Sequence, residues 1–193
     1  MKRILEFSND LGCEKDCLEN CAPRGSKRLT YRVLTGDDAR EFMGVCDDPL
    51  IAENIPFISA NFGLHHATAL LASVDRRRDC FFGVFNRQTM QLMGVVGAHL
   101  SARNDIEIGY WLRPDCHGQG FAFEAVKTVI EGLELAFPDR RIVAQCRPEN
   151  VPSWRLLMKL GFVGLGDEGA REGRHFLVRG RANSQRARPD DID

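Results

Sequence analysis

The sequence predicts a single mixed α/β domain, a central and mostly antiparallel sheet flanked by helices. Three observations carry this. Short segments upstream of Pro114 repeat apolar residues with a period of two; the period lengthens to that of a helix just after Pro114; and the remainder alternates strand with helix. The chain has 193 residues, which fits one domain with short extensions. With 44% hydrophobic and 27% charged residues it is globular in composition and neither disordered nor membrane-like.

The elements follow in order. Residues 1–28 read as an N-terminal extension that ends in the linker-like cluster Ala22-Pro23-Arg24-Gly25-Ser26. Leu29 to Thr35 alternates and is a first strand. Gly36-Asp37 offers a helix start, with Asp37 or Thr35 as cap, and this helix runs to about Cys46 and stops before Asp48-Pro49. Pro56 breaks the next segment. A second helix fits about Gly63 to Val74, with Leu64, Ala67, Leu70, Leu71 and Val74 on one face. Asp79–Asn86, Gln91–Leu100 and Asp105–Leu112 form an antiparallel meander, with Asn86 to Met90 as its first turn. On the third of these strands Ile106, Ile108, Tyr110 and Leu112 face one way, and Glu107, Gly109 and Trp111 the other.

After Pro114, the residues Phe121, Ala125, Val129, Ile130 and Leu133 recur at helical spacing up to about Phe137-Pro138. Arg141 to Cys146 is a strand. Pro148-Glu149-Asn150 leads into a helix from about Val151 to Leu160, closed by Gly161. Phe162–Leu165 and Arg174–Arg179 are a final pair of strands, and residues 181–193 a flexible C-terminal tail. The expected order is β-α-α-β-β-β-α-β-α-β-β.

Charge and composition exclude several function classes. Lys plus Arg number 26 and Asp plus Glu 27, a net charge of -1, which argues against a nucleic-acid binder but leaves room for one local phosphate site. No stretch approaches the ~20 apolar residues of a membrane span. The start, MKRILEFSND, lacks an apolar signal region, so the cytoplasm is the expected location and no membrane partner is expected. Of seven cysteines, Cys46, Cys80, Cys116 and Cys146 sit in or beside apolar runs and read as buried and reduced. Cys13, Cys17 and Cys21 would stripe one helix face; a metal site needs a fourth ligand and usually tighter spacing, so no metal is expected.

The most informative stretch is Arg113-Pro114-Asp115-Cys116-His117-Gly118-Gln119-Gly120-Phe121-Ala122, which joins a strand end to a strong amphipathic helix. Glycines there let the backbone adopt unusual φ and approach a ligand closely. The first helical turn leaves N–H groups unpaired at the positive end of the dipole, a cradle suited to a pyrophosphate. On the glycines alone, a tight turn without ligand stays open. The stretch is not a P-loop, since no Gly-Lys-Ser/Thr follows, and Phe123 stands where the dinucleotide fingerprint has its third glycine.

Together these residues resemble the GNAT superfamily of acetyl-CoA-dependent N-acetyltransferases, and within it the RimJ/RimL-type branch. Glu107-Ile108-Gly109-Tyr110-Trp111-Leu112-Arg113-Pro114 is similar to that branch's EIGYWL-x-P strand. His117-Gly118-Gln119-Gly120-Phe121-Ala122-Phe123-Glu124-Ala125 is similar to its W-G-x-G-Y/F-A-x-E-A turn and helix. Asn150-Val151-Pro152-Ser153 with Lys159-Leu160-Gly161-Phe162 is similar to its N-x-x-S…K-x-G-F helix. The resemblance covers about residues 29–180, the expected acetyltransferase domain. Two positions depart from the pattern. His117 stands where this branch often has Trp, and Leu157 where many members carry the Tyr that would protonate the leaving thiolate.

The resemblance implies transfer of an acetyl group from acetyl-CoA to a primary amine, on a protein N-terminus or a small molecule, by direct attack on the thioester. A catalytically weak acetyl-CoA-binding module is the alternative. An ammonium must lose a proton before it can attack, and Glu107 is the candidate base; a solvated carboxylate on an exposed strand face is its other reading. In the family two strands splay apart beside the cofactor loop, so Trp111, Leu112 and Arg113 are cofactor-site candidates, with the Leu112 N–H as a donor to the thioester carbonyl. Trp111 and Tyr110 could equally be core. His117, Gly118, Gln119, Gly120, Phe121 and Ala122 form the expected cradle. Ser153 is the candidate acid for the thiolate, or simply the third residue of a capped helix, and Asn150 is a cap that the resemblance also places on CoA. His65, His66 and His99 have no spacing that ties them to the site, and Arg76-Arg77-Arg78 reads as solvated. The acceptor pocket is expected from about residues 37–75 and the last hairpin, in a monomer or homodimer.

Overall fold

Alternating apolar residues along seven segments produce one sheet. In the computed structural model, which describes residues 17–180 apart from residues 24, 56, 59, 60, 102 and 103, these are β1 (Leu29–Val33), β2 (Asp79–Asn86), β3 (Leu92–Leu100), β4 (Ile106–Leu112), β5 (Ile142–Cys146), β6 (Phe162–Glu168) and β7 (His175–Arg179). Their spatial order is β1-β2-β3-β4-β5-β7-β6. Every pairing is antiparallel except β4 with β5. That exception follows from connectivity, since α4 (Phe121–Ala136) lies between the two strands and a helical crossover returns the chain in the same direction.

The period-two pattern divides side chains between two cores. Ile106, Ile108 and Leu112 of β4 join Val126, Val129, Ile130 and Leu133 of α4 on one face, with Leu157 of α5 (Val151–Lys159). Trp111 and Val95 point to the other face, against Phe42 of α1 (Ala39–Cys46) and Leu71 of α3 (Leu64–Ser73). The alternation expected along β4 is therefore observed.

One element was not expected. A six-residue helix, α2 (Pro49–Asn54), follows α1, so the order carries three helices between β1 and β2 instead of two. Asp48-Pro49 reads as a stop, but the same pair starts a helix: Asp48 caps it, accepting from the Leu50 N–H at 2.8 Å, and Pro49 needs no N–H in the first turn. The closing glycine of α5 is as expected, Gly161 having φ +84°.

The described part of the N-terminal extension packs against the domain. Leu18–Cys21 form one 3₁₀ turn, with the Leu18 and Glu19 N–H groups donating to the Arg77 and Arg76 carbonyls at 3.2 and 3.1 Å. Leu18 and Cys21 are buried in the α4-side core. Cys13 lies outside the described residues. Among them, no helix is long and apolar enough to cross a membrane.

The feature that positions the site is an early end to one pairing. β4 pairs with β5 only from Ile106 opposite Ile142 to Ile108 opposite Ala144, yet β4 continues to Leu112 and β5 to Cys146. Beyond Ile108 the two strands diverge.

Because Leu18 is 1% exposed in that core, Leu18→Ala is expected to lower unfolding stability by about 3 kcal/mol in urea titrations. A loss below about 1 kcal/mol would show that the turn contributes little to the fold.

Candidate active site

The glycine turn takes the geometry its composition allows. Gly118 and Gly120 have φ of +71° and +77°, and a Cβ at Gly118 would meet nothing within 4 Å. Their positive φ disfavours any other residue, and the backbone is open to close approach. The first bond of α4 runs from the Glu124 N–H to the Gly120 carbonyl at 3.1 Å, and no side chain caps the helix. The N–H groups of Phe121, Ala122 and Phe123 therefore have no acceptor within the helix. The turn is braced from outside: Arg28 donates to the Gln119 carbonyl at 3.0 Å, lies 4.1 Å over the Phe121 ring and pairs with Glu124 at 2.7 Å. Gln119 turns back to the Asp115 carbonyl at 2.8 Å. Its side chain and that of Arg28 both hold the loop in shape.

The splay exposes a defined set of main-chain groups. The Ile106 N–H donates across to Arg141 at 2.8 Å, and the Arg113 N–H to Met93 of β3 at 2.9 Å. Strand alternation then points the amides of Tyr110 and Leu112 into the gap and those of Trp111 and Arg113 into the sheet. The Leu112 carbonyl accepts from His117 Nε2 at 2.9 Å, which leaves its N–H facing the gap. The main-chain amides of Trp111 and Arg113 thus face β3, and their side chains have partners of their own. The Trp111 indole packs edge-on against Phe42 and Phe57, and the Arg113 guanidinium pairs with Asp115. The side chain of His117 closes the loop onto β4.

On the opposite face of β4 lies a cavity of about 450 Å³. Gly109 and Gln145 line it where β4 and β5 part, so it opens onto the splay. Phe57, Phe81 and Trp111 make an apolar wall. Three polar side chains lie in a row across the sheet, because Asp79 is opposite His99 in β2–β3 and His99 is opposite Glu107 in β3–β4. His99 Nδ1 is hydrogen-bonded to Asp79. Glu107 accepts from Gln145 Nε2 at 3.0 Å and is paired with Arg171 at 3.3 Å; its side chain is 18% exposed, so the solvated alternative does not describe it.

Helix α5 closes the other side of the gap. Asn150 caps it, accepting from the Ser153 N–H at 3.3 Å, and donates to Asn54 of α2 at 3.2 Å. The Ser153 hydroxyl lies 2.8 Å from the Tyr110 hydroxyl. Burial pushes the Tyr110 phenol up, so it stays protonated at neutral pH. Leu157 is buried in the core beneath them.

The sequence profile of the acetyltransferase (GNAT) domain matches residues 28–163. The chain belongs to the GNAT acetyltransferase family. It is 35% identical over 147 residues to the uncharacterized N-acetyltransferase p20 of Bacillus licheniformis, covering 71% of this chain and 80% of that protein. It is 30% identical over 142 residues to the uncharacterized N-acetyltransferase YoaA of Bacillus subtilis (strain 168), covering 70% and 79%. Among solved structures, the ribosomal L7/L12 α-N-protein acetyltransferase RimL in complex with coenzyme A superposes with a TM-score of 0.71 over 79% of this chain and 93% of that one, at 16% identity, which shows a shared fold. The chain is accordingly an enzyme of acetyl-CoA-dependent N-acetylation, and the free amides of the turn and of the splayed strand fit that thioester carrier.

Several side chains that the fold brings to this place were not singled out by sequence reasoning. His99 is placed by strand register, which counting back from Glu107 through the meander turn would have given. Arg28 is far from the turn in the chain, and α2, which carries Asn54, was hidden by its proline.

Burial alone would raise the Glu124 carboxyl, but the Arg28 N–H and Ser26 hydroxyl, both at 2.8 Å, and the Arg28 guanidinium outweigh it and hold it below the usual range. A lowered folded-state value gives stability that is complete above the unfolded value of about 4.3 and lost as pH falls through the folded one. Glu124→Gln is expected to cost about 2 kcal/mol at neutral pH, with the gap to the parent protein closing on acidification from about pH 5 to pH 3 in thermal melts. A gap independent of pH would contradict the assignment.

Proposed function

We propose that this acetyltransferase moves the acetyl group directly to a primary amine held in the cavity beneath Glu107. What supports the reading is the meeting of two features at one place: the splay at Gly109 and Gln145 joins the cradle side of the sheet to a cavity whose floor carries carboxylates. Acetyl-CoA supplies the activated acyl group as a thioester. The main-chain amides of residues 118–122, at the start of α4, hold its diphosphate, and the Leu112 N–H donates to the thioester carbonyl. Asn150 shapes the wall of the slot through the α5 cap.

Glu107 takes a proton from the incoming ammonium, directly or through one water, and His99 with its Asp79 partner is a second proton carrier beside it. On the α5 side, Ser153 gives its proton to the departing thiolate and takes one from the Tyr110 phenol 2.8 Å away, and the second proton shed by the amine nitrogen as the amide forms restores the phenol through solvent. That pair supplies on β4 and α5 the hydroxyl that Leu157 cannot. The motif resemblance favours the RimJ/RimL-type branch.

Acetyl-CoA is expected to raise the melting temperature of the native protein, and Gly120→Val to abolish that shift, because valine is strained at φ +77°. Glu107→Gln should keep the shift and lose about 100-fold in kcat in thiol-release assays over an amine panel. Ligand-induced stabilisation with no thiol release from any amine would favour the weak binding module instead. Ser153→Ala and Tyr110→Phe should each lower kcat by about tenfold, and the double variant by no more than the worse single one, since they act as one unit. Multiplicative losses would separate them.

A further inference from the structure

The cavity presents two signs of charge, and only one of them is needed for an amine. Its floor carries Asp79, His99 and Glu107 from three neighbouring strands, a surface suited to an ammonium. Facing them from the β6–β7 hairpin are Arg171 and Arg174. The hairpin is fastened in place: the Arg171 N–H donates to Gln145 Oε1 at 3.3 Å, and a Cβ on Gly169 would come within 2.7 Å of the same oxygen.

Arg174 is short of an anion. It donates to the main-chain carbonyls of Gln145, at 3.2 Å, and Asn54, and among the described residues no carboxylate lies within ion-pair distance of it. Burial, and then the guanidinium groups of Arg171 and Arg147, weaken its hold on its proton. Arg147 Nε is itself buried without an acceptor among the described residues. Arg174 and Arg147 are partly buried and Arg171 lies exposed beside them, so three guanidiniums gather where, among the described residues, Glu107 alone makes an ion pair with them, and a ligand that brings further negative charge is favoured. That ion pair is with the proposed base, through Arg171 at 3.3 Å.

We propose that the acceptor is a small amine that also carries a carboxylate, with an apolar body between or beside the two. This rests on the acetyltransferase reading of the cavity and names the class of molecule it takes. The carboxylate pairs with Arg171 and Arg174, the ammonium with Glu107, and the apolar part lies on Phe57, Phe81 and Trp111. The cavity of about 450 Å³ suits a molecule of amino-acid size. Binding is also an exchange of partners. The acceptor's carboxylate draws Arg171 away from Glu107, and the ammonium takes the vacated oxygen. A simple amine has nothing to offer Arg171 and must compete with it for Glu107.

The test uses matched pairs: phenylalanine with phenethylamine, leucine with 3-methylbutylamine, and the aminophosphonate analogue of phenylalanine to separate carboxylate from phosphoryl recognition. Thiol release gives kcat/KM, and calorimetry on the protein saturated with CoA gives the affinity of each compound independently of turnover. The carboxylated members are expected to exceed their decarboxylated partners by about tenfold or more on both measures. Arg171→Gln should lower kcat/KM for the amino acids and raise it for the simple amines, an opposite movement that a merely structural arginine would not give. Arg174→Met should collapse the ratio, and Arg171, on the surface loop, serves if that variant fails to fold. Equal or better use of the simple amines, preference for the phosphonate, acetylation confined to peptide N-termini, or a weakened acetyl-CoA affinity in Arg171→Gln would each overturn the proposal. If no amine is turned over, the catalytic reading fails on its own, and calorimetric preference for the carboxylated members still decides this one; absence of binding by either member overturns it.

Discussion

Backbone amides left without a partner are the constraint on which this molecule is organised. A buried N–H must find an acceptor, and a sheet or helix normally supplies one. Here two sets are withheld at neighbouring places. β5 leaves β4 after Ile108, so the even-numbered amides further along β4 face a gap. The chain then turns through Gly118 and Gly120 into a helix whose first amides are free by the nature of helices. Both sets belong to one continuous segment, Gly109 to Phe123, and the groups they offer are main-chain, so side chains serve here as braces. The His117 imidazole is one of these, tying the turn back to the strand it came from.

What surrounds that segment is specific to this chain. Arg28, Ser26 and Glu124 clamp the start of the sheet to the start of α4, so the loop between cannot collapse into its own gap. On the other side α5 brings a hydroxyl pair, Ser153 with Tyr110, to the edge of the opening. The cavity floor is a product of register: a hairpin that places His99 opposite Glu107 also places Asp79 opposite His99. A one-residue slip in either pairing would send these side chains into the opposite core.

Much of this was legible in the sequence, for reasons that can be named. β2 to β4 and α4 have long, strongly periodic apolar patterns, and their limits were read to within a residue or so. The turn was legible because two glycines and a helix start coincide. Glu107 and Ser153 are candidates through motif resemblance, and the structure puts them on opposite sides of the strand divergence. Trp111 and Arg113 are candidates through the strand splay that the resemblance implies, and strand alternation turns their amides to β3. α2 went unread because six residues show no period and Pro49 can open a helix as well as close one. Arg28, His99, Arg171 and Arg174 reach the site through tertiary contacts, and nothing local to each marks it.

The buried cysteines bear on how the acyl group travels. Cys80 lines the cavity and Cys146 ends β5 beside the gap. Burial pushes the Cys80 thiol up to about 12 and raises that of Cys146 as well. Only the thiolate is nucleophilic, so burial disfavours either sulfur as a competitor for the acyl group. Two sulfurs kept dry and protonated accord with the direct transfer proposed above, in which the acyl group passes to the amine without a stop on the protein.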